Sequence, residues 1–139
     1  MNDKPISAFQ ETLGMIYFAR MIDKIRKQAA GRLHEDFVEN LGKGFDGRCC
    51  GFIRVSYEAL KARVLEGGSD EDVLNWCFAS GRQLDAEDIY IWNEFMRKRG
   101  WNDPATAIVE NRKKESGLGH RDDIVTMLEY FEYDEGRKA

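Results

Sequence analysis

Residues 41–52 read L-G-K-G-F-D-G-R-C-C-G-F, four glycines with a lysine, an aspartate and two adjacent cysteines. Such a stretch could cradle a phosphate, hold a metal or switch with redox state. A phosphate loop of the GxxxxGK[ST] type needs a strand before it and a helix after it. Here Lys43 follows a glycine too early, no Ser or Thr follows Lys43, and the preceding segment has helical character. Adjacent cysteines lie 3.80 Å apart at Cα across a trans peptide, closer than the ~4.4–6.8 Å of an unstrained disulfide. Zinc wants four ligands, commonly in C-x₂₋₄-C spacing, which Cys49, Cys50 and Cys77 do not supply. The stretch therefore reads as a glycine-rich loop, with Gly42 closing a helix and Gly44 and Gly47 turning around Asp46. The cysteines read as small packing residues.

The two histidines are no stronger. His34 opens H-E-D-F-V, but Val38 stands where the zincin pattern H-E-x-x-H places its second histidine. His120 falls in L-G-H-R-D-D, and a metal reading with neighbouring carboxylates leaves His120 as its one nitrogen ligand. Neither a metal nor a cofactor is expected. Asp23 is the most suggestive single acid, with Arg20 three residues before it and Arg26 and Lys27 three and four after. Cations at those spacings keep a carboxylate ionised, which suits an anchor better than an acid. The competing view is an exposed ion-pair cluster of small energetic consequence.

The elements that would position these groups are helical. Phe18, Ile22, Ile25 and Ala29 recur on one helical face before Gly31. E-D-F-V-E-N-L suggests a short helix ending at Gly42. Ser56 can cap a helix carrying Tyr57, Leu60 and Val64, and Ser69 with Asp72 resembles a capping box opening a strongly apolar helix. Asp85 caps a fifth helix with Ile89, Trp92, Phe95 and Met96 inward. Asp103-Pro104 starts a sixth, and Asp122 opens a last one. Only F-I-R-V at 52–55 has strand character. The expectation is an all-α protein, one domain over 1–139, a compact orthogonal bundle of six to seven helices with one glycine-rich loop.

Composition agrees with this class. Of 139 residues, 42% are hydrophobic and 33% charged, a globular balance. No apolar run approaches the ~20 residues of a membrane helix, and M-N-D-K-P lacks a signal stretch. A soluble, cytoplasmic, bacterial-type protein is expected, which also suits three cysteines without paired spacing. Residues 1–70 carry eleven basic and ten acidic side chains and residues 71–139 ten and fifteen, giving the net charge of −4. R-K-Q-A-A-G, R-K-R-G and R-K-K-E-S-G close predicted helices and the acids open them, which is dipole complementarity. Neither a nucleic acid nor a membrane is expected as a partner.

Five segments in order, E-T-L-G at 11–14, R-M-I-D-K-I-R at 20–26, S-D-E-D-V-L-N-W at 69–76, I-W-N-E-F-M at 91–96 and T-M-L-E-Y-F-E-Y-D-E-G-R at 126–137, make a pattern. It resembles a bacterial family of unknown function, number 5069, over nearly the whole chain. Many relatives carry a C-P-L-D-like segment before the third helix, where this chain has G-K-G-F-D-G-R-C-C-G-F, so that stretch reads as a variable connection. The resemblance implies no activity, but it directs attention to Arg20, Asp23, Lys24, Trp92, Asn93, Asp134 and Arg137 as binding candidates. Asp134 or Arg137 is a candidate to dock on the Arg20–Asp23 cluster. Three functions compete: a non-catalytic ligand-binding or protein-interaction domain, with a homodimer or another protein as its partner; a small enzyme acting on an anionic metabolite through an Arg/Lys/Asp pocket; and a carboxylate–His120 metal protein.

Overall fold

The apolar spacing that starts at Phe18 forms the first helix of a computed structural model that describes residues 3–139. This helix, α1 (Phe18–Ala29), follows a two-strand hairpin in which β1 (Glu11–Thr12) pairs antiparallel with β2 (Met15–Ile16). Leu13 and Gly14 both take positive φ at its tip, as a two-residue hairpin turn requires. The sequence offered no alternation long enough to reveal strands of two residues. After α1 come α2 (Phe45–Ile53), α3 (Tyr57–Leu65), α4 (Asp70–Ser80), α5 (Ala86–Lys98), α6 (Thr106–Glu115) and α7 (Met127–Asp134). The described residues thus form seven α-helices and one minimal hairpin, an all-α protein.

Three expectations fail locally. E-D-F-V-E-N-L makes only a single 3₁₀ turn at Glu35–Phe37, capped by the His34 side chain. Residues 45–53, expected as loop and strand, are helix. Their buried positions, Asp46, Cys49, Cys50 and Ile53, fall at i, i+3, i+4 and i+7, so burial of one face overrides the low helix propensity of Gly47 and Gly51. The last helix begins four residues later than expected, with Thr126 rather than Asp122 accepting from the first turn.

Helix α6 starts at Thr106 behind Ala105, which makes no side-chain cap, and not at Asp103-Pro104, but three other caps form as the sequence suggests. Ser56 accepts from the Ala59 amide. Ser69 and Asp72 complete a reciprocal capping box, and Asp85 and Asp88 exchange the same pair of bonds. The chain divides into two compact units, one ending at Ile89 and one beginning at Tyr90, with the boundary inside α5. In the first unit Phe18, Met21, Ile22, Ile25, Ile53, Leu60 and Leu74 are fully buried, and Cys49 and Cys77 pack among the core residues. In the second the buried apolar residues include Trp92, Met96, Val109, Ile124 and Leu128. No helix among the described residues is long and apolar enough to cross a membrane.

Candidate functional site

Helix α1 buries two different faces. Phe18, Met21, Ile22 and Ile25 make the apolar one. Tyr17, Arg20, Lys24 and Lys27, spaced at i, i+3, i+7 and i+10, make a polar stripe in which every residue is no more than 8% exposed. Burying cations is costly unless each finds charge or hydrogen-bond acceptors, so their partners define the site.

The centre of the stripe is closed by Asp46, fully buried in the first turn of α2. Its Oδ1 accepts from the Tyr17 hydroxyl at 2.7 Å and from Lys24 Nζ at 2.8 Å. Its Oδ2 accepts from the Gly42 amide at 3.1 Å. Lys24 Nζ also lies 3.3 Å from the Tyr17 hydroxyl. Three charged or hydroxyl groups from two helices therefore converge on one point, and Asp46 is also tied to the turn before α2. Tyr17 sits at φ 75° and ψ −35°, a conformation that costs a non-glycine residue of order 1–3 kcal/mol. That backbone is held by the Tyr17 amide donating to the Ala8 carbonyl at 2.8 Å.

The surroundings keep protons in place. Burial, reinforced by the Asp46 carboxylate, raises the Tyr17 hydroxyl well above the ordinary tyrosine range. Burial likewise lifts the Cys49 thiol well above its usual value, with Cys50 and Asp46 adding to it. Cys50 is pushed up to about 11 and Tyr57 to about 12, burial first and Asp46 second in both. A nucleophilic thiol needs the thiolate, so these cysteines are inert at neutral pH.

The ends of the stripe hold the N-terminal segment. Arg20 donates to the Ile6 carbonyl at 3.2 Å, and Asp23 accepts from the Ile6 amide at 3.0 Å. Lys27 donates to the Lys4 carbonyl at 2.6 Å and pairs with Asp23 at 2.9 Å. The Asp23 cluster is thus a backbone strap, more buried than an ordinary surface ion pair. Arg26 turns away to pair with Asp70 and the Gly68 carbonyl.

Of the candidates read from the sequence, Arg20, Asp23 and Lys24 come together on α1. Trp92 and Asn93 lie side by side on α5, both buried. Asp134 is exposed as the last residue of α7, while Arg137 pairs with Glu132 at 2.9 Å and Glu135 at 2.5 Å. Tyr17 and Asp46 were missed. Asp46 was hidden in what looked like a loop, although its spacing to Cys49, Cys50 and Ile53 was a helical signal. Lys113 was missed too: only 1% exposed, it donates to the Ile124 carbonyl at 2.9 Å.

Among the described residues no cluster of three or more histidine, cysteine or carboxylate side chains is arranged to hold a metal. His120 is exposed in the turn after α6.

Fold and site together define an all-α protein with a buried tyrosine–lysine–aspartate network between its first two helices. The chain belongs to the family described as Domain of unknown function (DUF5069), whose model matches residues 2–137. No curated protein matches it.

Proposed function

We propose that this chain is a non-catalytic domain that works by binding another protein surface. The observation that supports the reading is how the polar groups of α1 are used. Lys24 closes on Asp46, Lys27 on Asp23 and the Lys4 carbonyl, and Arg20 on the Ile6 carbonyl. Groups engaged in this way hold the fold together, and the nearby thiols stay protonated. Large apolar side chains on α5 meanwhile face outward.

A second reading, a small enzyme acting on an anionic metabolite, is favoured by the convergence of Tyr17, Lys24 and Asp46. A hydroxyl bridging a cation and a carboxylate is an arrangement that can relay a proton.

Thermal melting in the presence of inorganic phosphate and pyrophosphate, against sodium chloride at equal ionic strength, separates the two. The interaction domain shows no saturable stabilisation by either anion. A saturable rise in Tm that disappears in Arg20→Met would overturn the reading in favour of an anion site.

A further inference from the structure

We infer that the polar stripe of α1 receives an extended, proline-containing segment of another protein, and that residues 3–8 of this chain occupy it as a releasable strap, a proposal that rests on the interaction-domain reading above. The bonds that seat the strap are of one kind. Arg20 donates to the Ile6 carbonyl, Asp23 accepts from the Ile6 amide, and Lys27 donates to the Lys4 carbonyl. All three reach main-chain atoms, which any extended segment carries. Ile6 lies against Arg20 and Asp23, and Lys4 against Lys27, so the segment runs antiparallel to the helix. From midway between Arg20 and Asp23 to Lys27 the helix rises about 8 Å, close to the ~7 Å that two extended residues span. Between the two gripped residues Pro5 is buried, and its ring favours the same extended backbone. The stripe therefore fits an extended chain with proline between two engaged carbonyls.

The joint is built to open. Two cations and a carboxylate are used to grip a backbone that apolar side chains could hold at no greater cost. When the strap lifts, these charges return to water, whereas an apolar joint would expose surface that water rejects. Asp23 and Lys27 still have each other, at 2.9 Å, in the opened stripe. Opening also parts the Tyr17 amide from the Ala8 carbonyl, which lets the left-handed Tyr17 backbone relax. That strain favours release, and the three main-chain bonds oppose it. A second hold, the His34 amide donating to the Asp3 carbonyl at 2.9 Å, fixes the far end of the strap. The partner's segment enters where the strap leaves, and the tether keeps the stripe masked until then.

The full chain carrying Ile6→Pro tests this, because the substitution removes the amide that Asp23 accepts from and leaves α1 unchanged. The probe is a synthetic peptide of residues 3–10, D-K-P-I-S-A-F-Q. It is titrated to ~1 mM, the order of the effective concentration that a short tether provides, and followed by amide NMR shifts. Saturable binding to the Ile6→Pro chain is expected, at least ~tenfold weaker binding to the wild type, and none when the peptide itself carries Ile6→Pro. No binding to a folded Ile6→Pro chain, equal binding to both chains, or equal binding of both peptides overturns the proposal. Hydrogen exchange of the wild type gives a readout that needs no variant. The Ile6 and Tyr17 amides are expected to exchange together, at least ~tenfold faster than the Ile25 amide inside α1. Exchange of Ile6 and Tyr17 only as slowly as Ile25 shows a strap that does not open, and overturns the proposal as well. Either failure leaves the interaction-domain reading standing, and the phosphate melting experiment decides that reading separately.

Discussion

Lys24 Nζ lies 2.8 Å from Asp46 Oδ1, and the two side chains, on different helices, are 8% and 0% exposed. A buried pair of this kind ties the second helix to the first more specifically than apolar packing does, because each partner is costly without the other.

Removing one partner alone is therefore expensive. Asp46→Ala is expected to destabilise by roughly 3–5 kcal/mol, since it strands Lys24 and the Tyr17 hydroxyl in the core. Lys24→Met leaves the carboxylate without its cation and is expected to cost a similar amount. The double variant Lys24→Met with Asp46→Ala costs clearly less than the sum, which urea unfolding of the four proteins measures. Additive losses would contradict the coupling.

Two glycines respond in opposite directions to alanine. Gly51 is exposed within α2 and a Cβ there meets nothing within 4 Å, so Gly51→Ala stabilises by about 0.5–1 kcal/mol. Gly81, at the end of α4, has the Ile53 carbonyl oxygen against its Cβ position and the Arg54 carbonyl oxygen at 2.6 Å. Gly81→Ala forces backbone apart and costs about 1–3 kcal/mol. Thermal melts of the pair should move to either side of the wild type.

The cysteines should be slow to react. With Cys50 pushed up to about 11 and Cys77 to about 12 by burial, little thiolate exists at pH 8. Relative to an unfolded thiol, labelling of Cys50 by an aromatic disulfide reagent is expected to be slower by roughly two hundredfold from thiolate fraction alone. Native and denatured labelling rates within tenfold of each other would remove the basis for calling these thiols inert.

Acid should weaken the cap of α4 in a defined window. The Ser69 backbone amide, and then its hydroxyl, lower the Asp72 carboxyl below its ordinary value of 3.8. A depressed carboxyl binds protons more readily in the unfolded chain, so its contribution is complete above pH 3.8 and declines as pH falls through the folded value. The Tm gap between wild type and Asp72→Asn should be constant in the neutral range and narrow below pH 3.8. A gap that widens on acidification would refute the assignment.

Much of the helical architecture was legible from local rules. Ser56, Ser69 with Asp72, and Asp85 are capping residues whose bonds reach no further than three residues, so their chemistry is present in the sequence itself. Phe18, Ile22 and Ile25 announced α1 for the same reason: their spacing matches one face of a helix. Arg20, Asp23 and Lys24 could be picked out as a polar group, but their partners could not. The Ile6 backbone lies 14 and 17 residues from Arg20 and Asp23.

Long-range contacts decided the rest. Glycines argued against a helix at 45–53, and only burial of Asp46, Cys49, Cys50 and Ile53 on one face made that helix form. Tyr17 and Asp46, 29 residues apart, meet because the hairpin turn, the strained Tyr17 backbone and α2 bring them together. Phe95 has the spacing of a core residue, yet the packing of Trp92 and Met96 turns it outward. Helix periodicity gives the angle between side chains but not which side faces the protein. Local physics thus determined where helices begin and end, and the energetics of burial decided which polar groups meet and which apolar ones stay in water.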